Sequence, residues 1–162
     1  MGIRLRVSSM RTLVRSTVVL TAFLVSSVAG STPASAADLD DYLWERRPLL
    51  VFAPTVSDPR LVETLNRIEA TRCDFVEREM VAGVVVAAGT GTFDGQPMGT
   101  GEPKRLADLY GVDSDGFTVV LIGKDGGEKF RVDEVPDLQT FYAVVDGMPM
   151  RGREAQSNPS RC

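Results

Sequence analysis

From residue 49 onward the chain alternates between short unbroken apolar runs and segments whose apolar positions recur every three or four residues. Leu49 to Ala53, Met80 to Ala88 (MVAGVVVAA) and Phe117 to Ile122 are nearly continuous apolar runs, as expected of strands covered on both faces. Between the first two, Leu61, Val62, Leu65 and Ile68 follow helical spacing among Arg60, Glu63, Asn66, Arg67 and Glu69, the pattern of an amphipathic helix. Asp58 followed by Pro59 marks its start, a capping carboxylate and then a proline whose fixed φ suits the first turn. A helix joining two buried strands implies a parallel pair with a right-handed crossover. Ahead of the first strand, Asp38 to Pro48 carries Tyr42 and Trp44 and reads as short helix or coil.

Gly89 to Gly101 (GTGTFDGQPMGTG) reads as a flexible excursion. Lys104 to Tyr110 then forms a short helix with Leu106, Leu109 and Tyr110 on one side. Gly123-Lys-Asp-Gly-Gly127 is a hairpin turn, because Asp-Gly accepts the positive φ such turns need. The strand after it sets Phe130 and Val132 against Lys129 and Arg131, the alternation of a half-exposed edge. After Pro136 and Asp137, Leu138, Phe141, Val144 and Val145 describe a last amphipathic helix. A βαβ unit, a linking helix and a ββα unit make an α/β fold of thioredoxin-like arrangement, a central mixed sheet with flanking helices.

The first 36 residues stand apart. Arg4, Arg6, Arg11 and Arg15 precede a mostly apolar stretch from Val18 to Val28, and Ala34-Ser35-Ala36 offers small residues for cleavage. These are the three parts of a secretory signal peptide, with an apolar run too short for a membrane anchor. Met10 is an alternative start, since a complete signal begins there. The expected organisation is a signal peptide over 1–36, a thioredoxin-like domain over 37–155 and a flexible tail over 156–162. The expected location is periplasmic or secreted. Cleavage removes four of the 18 basic residues and leaves 22 acidic ones, so the mature charge is 14 − 22 = −8. Such a surface repels phosphate backbones, which argues against nucleic acid as a partner. No stretch after the signal is long and apolar enough for a transmembrane helix.

The sequence holds no histidine. That removes Ser-His-Asp and Cys-His nucleophile pairs, histidine-ligated zinc and the imidazole base. Its two cysteines are Cys73 and Cys162. In an oxidising compartment they form a structural disulfide, remain free, pair between molecules, or act as a catalytic pair. A Cys73–Cys162 bridge would close a loop of roughly 90 residues, which in the chain-entropy model stabilises by about 4–5 kcal/mol.

Other candidate sites are weaker. Gly89-Thr-Gly-Thr-Phe-Asp-Gly95 imitates a phosphate loop, but no helix opens on its glycines. Asp113-Ser-Asp-Gly116 and Asp125-Gly126 lack the ligand spacing of a calcium loop. No metal and no cofactor is expected. The turn from Thr55 to Asp58 is where a thioredoxin-like protein carries a cysteine activated by the helix N-terminus. A peroxiredoxin places a cysteine three residues after a threonine, and three residues after Thr55 stands Asp58. Gly116-Phe117 stands where thioredoxins carry a cis-proline. The turn is therefore thiol-free, and the Thr55 and Ser57 hydroxyls remain as candidate ligand-binding groups.

The stretches LLVFAP (Leu49 to Pro54), LIGKDGGEKFR (Leu121 to Arg131) and DGMPMR (Asp146 to Arg151) resemble the bacterial family called domain of unknown function 4174. That family is similar to domains of animal extracellular proteins of the sushi-repeat type. The resemblance covers about Leu43 to Glu154. It implies a thioredoxin-like fold, distantly peroxiredoxin-like, in exported proteins without established enzymatic activity. The positions it marks are Lys124, Asp125, Gly126, Arg131, Met148, Pro149, Met150 and Arg151. Lys124, Arg131 and Arg151 then become candidates for an anion or acidic-ligand site, or else ordinary partners of acids. The expected function is non-catalytic binding of an envelope protein, peptide or small ligand. The alternative is a thiol-dependent oxidoreductase or peroxiredoxin-like enzyme using Cys73 and Cys162.

Overall fold

The computed structural model describes residue 2 and residues 37–157. The signal-peptide features, Met10 and Cys162 lie outside the described residues.

The chain enters through a short 3-10 helix, Leu39–Tyr42, and continues as β1 (Arg47–Thr55), α1 (Pro59–Ala70), α2 (Arg72–Glu77) and β2 (Met80–Ala88). Two short strands follow, β3 (Thr92–Phe93) and β4 (Gln96–Pro97), then α3 (Glu102–Tyr110). β5 (Thr118–Ile122), β6 (Glu128–Val132), α4 (Leu138–Asp146) and α5 (Arg151–Ser157) complete it. The sheet runs β4-β3-β2-β1-β5-β6. β1 lies parallel to β2 from Arg47↔Met80 to Thr55↔Ala88, and antiparallel to β5 from Leu49↔Leu121 to Phe52↔Thr118.

The unbroken apolar runs reflect burial on both faces of the sheet. In β1, Leu49, Val51 and Ala53 pack with Leu61, Ile68, Phe141 and Val145 on the side of α1 and α4. The alternate residues Leu50 and Phe52 pack with Val85, Phe93 and Leu106 on the side of α3. β5 divides likewise, Val119 and Leu121 to the first layer and Val120 and Ile122 to the second. Phe130 and Val132 of the edge strand β6 pack, half-buried, on the first layer.

Three expectations need correction. The Gly-rich excursion is not featureless: β3 and β4 extend the sheet within it, and Phe93 is completely buried. Phe93 fits because Gly83 lies beneath it; a Cβ there would meet the Phe93 ring at 2.6 Å and Leu50 at 2.7 Å. In α3, Leu106 is buried but Leu109 is 59% exposed, so these two do not share an inward face. In α1, Val62 and Leu65 face outward, while Thr64 is buried and donates to the Arg60 carbonyl at 2.7 Å. That backbone bond satisfies the hydroxyl, which is why threonine serves where an apolar residue was expected. The sequence reading also lacked α2 and α5. α5 runs to Ser157, past the boundary drawn at residue 155.

Candidate functional site

The turn between β1 and α1 is built by its own polar residues. Asp58 caps α1 by accepting from the Arg60 backbone N–H at 2.8 Å. The Arg60 guanidinium closes on the same carboxylate at 3.0 and 2.7 Å. The Arg60 side-chain hydrogen bonds hold the Asp58 carboxyl below its ordinary value despite the opposing effect of burial. Arg60 in turn lies over the Phe117 ring, 4.8 Å from its centroid. The charge of the turn is therefore already matched. Thr55 and Ser57 are exposed, and their hydroxyls contact each other at 3.2 Å. Among the described residues no peptide bond is cis, so Gly116–Phe117 takes the ordinary form.

Beside this turn, on the α3 side of the sheet, a cleft of about 430 Å³ opens at the carboxyl ends of β1 and β2. Phe52 and Val85, which face α3, make its floor, Ala53 and Val86 line it beside them, and Pro103 and Ala107 of α3 make a wall. Lys104, Asp108, Asp113 and Ser114 stand at its rim. Gly89, Gly101 and Gly116 also line it and put no side chains into its mouth. An apolar floor with a few polar groups is the usual composition of a ligand site, and the carboxyl end of parallel strands is its usual place in an open α/β sheet. Thr55 and Ser57 are not among the lining residues. Lys104 and Asp108 pair with each other at 2.6 Å.

The opposite end of β1 is filled with charge. Arg47 is 1% exposed and makes a two-pronged contact with Glu154 of α5 at 2.8 and 3.0 Å. It also donates to the Arg78 carbonyl at 3.0 Å. Lys124, buried in the β5–β6 turn, bonds Glu79 and lies 2.8 Å from Glu154. Arg151 is bound by Glu77 at 2.9 Å and Asp146 at 3.2 Å, and Asp146 also takes Arg78 at 2.8 Å. Burial pushes the Glu154 carboxyl up, but hydrogen bonds from Arg47 and Lys124 outweigh it and set the group below its ordinary value. Asp146 is likewise raised by burial and, on balance, lowered by Arg78 and Arg151.

The three candidate cations are thus distributed as follows. Lys124 and Arg151 belong to this charged end, each already holding carboxylates. Arg131 holds Glu128 at 2.9 Å and the Tyr110 carbonyl at 2.8 Å, and among the described residues it shares no ion-pair partner with the other two. The structure does not assemble them into one anion pocket. Cys73 sits exposed on α2 and is disulfide-bonded; its expected partner Cys162 lies outside the described residues.

Sequence reasoning missed the cleft because its lining comes from separate segments, none of which is unusual alone. It missed the charged end although one signal was present: only Pro48 separates Arg47 from the apolar run LLVFA, and the buried strand β1 begins at Arg47 itself. Among the described residues no cluster of three or more Cys, Asp or Glu is placed to hold a metal ion. No described helix is long and apolar enough to cross a membrane.

A parallel β1–α1–β2 unit joined to an antiparallel β5–β6–α4 unit defines a thioredoxin-like protein, here with no thiol where β1 turns into α1. The chain belongs to the family described as Domain of unknown function (DUF4174), whose model matches residues 38–154. Among solved structures it is similar to Plasmodium yoelii thioredoxin peroxidase I, at 15% identity over 76% of this chain and 82% of that one, with a TM-score of 0.50. It is also similar to a Plasmodium yoelii Prx1a modified at its N-terminus, at 15% identity over 75% and 82% of the two chains, with a TM-score of 0.46. Likeness at this identity shows the fold alone.

Proposed function

We propose that the protein is an exported, non-catalytic binding protein of the bacterial cell envelope, and that it holds its ligand in the cleft at the carboxyl ends of β1 and β2. The single observation that carries this reading is the pairing of that open, apolar-floored cleft with a neighbouring turn that holds Thr55, Val56, Ser57 and Asp58 in place of a thiol. Export rests on the basic, apolar and small-residue order of residues 1–36. A bridge between Cys73 and Cys162 is part of the proposal, as a structural clamp. The thiol-enzyme alternative has weaker support, because Cys73 lies on the six-residue α2 rather than in the turn between β1 and α1, is disulfide-bonded, and does not line the cleft.

The purified protein should reduce insulin disulfides and consume peroxide at background rates. Native mass spectrometry of protein isolated from the envelope should show a bound species, and Ala107→Trp, which fills the cleft wall, should remove it. Robust turnover in either assay, or a bound species indifferent to Ala107→Trp, would sink the reading.

A further inference from the structure

The rim of the cleft carries three charged side chains, Lys104, Asp108 and Asp113. Two of them cancel, since the Lys104 ammonium lies 2.6 Å from the Asp108 carboxylate. Asp113 makes no ion pair among the described residues and is exposed. Its position is braced from both sides. The Val112 N–H donates to the Ala107 carbonyl at 2.9 Å, which holds the chain against the end of α3. The Gly116 N–H donates to the Asp113 carbonyl at 2.9 Å and closes the turn that follows. A Cβ at residue 116 would crowd that turn, 3.0 Å from the Asp113 carbonyl oxygen and 3.2 Å from the Val112 side chain. Asp113 and the neighbouring Ser114 hydroxyl are thus presented to the cleft by a hydrogen-bonded turn.

This balance selects the sign of a ligand's head group. An anionic head could reach a cation here only by taking Lys104 from Asp108, which would leave two carboxylates facing it. A cationic head meets Asp113 with no partner to displace, on a chain whose formal net charge is −4. The lining is otherwise mainly apolar, with Phe52, Val85, Pro103, Ala107 and Val112 among its residues. At about 430 Å³ the space lies toward the small end of ordinary ligand clefts, which suits a small molecule rather than a folded partner. An apolar body bearing one ammonium group matches both parts. Burial of its hydrocarbon supplies affinity, and the exposed ion pair supplies the choice of sign.

We propose that the cleft binds a small organic cation, an apolar body carrying a primary ammonium group. The body lies over Phe52 and Val85 against Pro103 and Ala107, and the ammonium donates to the Asp113 carboxylate and the Ser114 hydroxyl. This rests on the binding reading above and specifies its ligand. Lys104 and Asp108 stay paired and serve as a neutral part of the rim.

Three probes of one shape and different charge test it: phenylbutylamine, phenylbutanol and phenylbutanoate, each titrated into the full chain and followed by amide chemical shifts. The shifts should cluster at Ala87, Gly89, Ala107 and Ser114. The amine should bind about threefold more tightly than the alcohol and about tenfold more tightly than the carboxylate, as an exposed ion pair gained and a like-charge contact avoided would give. Salt at about 1 M should shrink that preference. Asp113→Asn should abolish it while leaving the alcohol's affinity and the melting temperature unchanged, since the residue is exposed. An alcohol or carboxylate that binds as tightly as the amine, a preference that survives Asp113→Asn, or no binding by any probe overturns the proposal. If the three bind equally and Ala107→Trp expels them together, the cation proposal fails and the broader binding reading stands. If none binds and a species carried from the envelope is indifferent to Ala107→Trp, both fail.

Discussion

At Arg47, where β1 begins, and at Thr55, where it ends, the same apolar strand meets polar surroundings of opposite kinds. At Arg47 the charges are buried and matched: Glu154 and Glu79 flank the guanidinium, Lys124 binds the same two carboxylates, and α5 is drawn in through Glu154. At Thr55 the polar groups are exposed and short, and beside them lies the cleft. Burying a charge is tolerable only with well-placed partners, and removing one partner leaves the others stranded. The charged end is therefore intolerant of change, while the cleft end is free to vary its side chains without unfolding the sheet. Lys124 and Arg151, marked by resemblance as candidate ligand groups, fall at the intolerant end. A marked basic residue can hold a fold together as readily as it can hold a ligand.

The largest expected effect is at the charged end. Glu154→Ala removes the carboxylate shared by Arg47 and Lys124 and should cost about 3–5 kcal/mol. Asp108→Ala breaks the exposed Lys104–Asp108 pair and should cost less than about 1 kcal/mol. Urea denaturation of both variants reads the contrast, and similar losses would erase the distinction between the two ends.

Acid should act on the same end. Glu154 and Asp146 have folded values below their ordinary ones. Their contribution is thus complete above the unfolded carboxyl values near pH 4 and fades as pH falls through the lower folded values. Urea midpoints taken from about pH 6 down to about pH 3 should fall most steeply below about pH 4. Glu154→Gln should start lower and show a shallower fall; an equally steep profile would remove Glu154 from the cause.

Much of this architecture was legible in the sequence for a simple reason. Leu49–Ala53, Met80–Ala88 and the Asp58-Pro59 helix start are local signals, and burial on both faces writes itself as an unbroken apolar run. The β3–β4 hairpin was hidden because two-residue strands have no periodicity, and because Phe93 is buried by contact with Gly83, 10 residues away in sequence. The charged end was hidden for another reason. Arg47 and Glu154 are 107 positions apart, and no local pattern announces a pair at that separation. Thr55 and Ser57 drew attention by their place before α1, but the cleft beside them is lined by residues brought together by the fold.

At the cleft end, the cap is the next largest effect. Asp58→Ala should cost about 0.5–2 kcal/mol, as lost helix caps do. Asp58→Asn should cost less, because the amide oxygen still accepts from the Arg60 N–H although the guanidinium loses its charged partner. Thermal melts of the two variants order them, and an Asn variant as unstable as the Ala variant would show that the Arg60 charge, not the cap, is what the turn requires.

The smallest effect belongs to Thr55 itself. Its hydroxyl is exposed and contacts the Ser57 hydroxyl at 3.2 Å, so Thr55→Val leaves no buried polar group without a partner. Its melting temperature should match that of the parent, with stability changed by less than about 0.5 kcal/mol, as for other surface substitutions. Its retention of the species carried from the envelope should also be unchanged, because Thr55 is not among the residues lining the cleft. A loss of binding at constant stability would move the site from the α3 side of the sheet to the turn itself, and the contrast between the two ends of β1 would then lie in Thr55 and Ser57 rather than in the cleft.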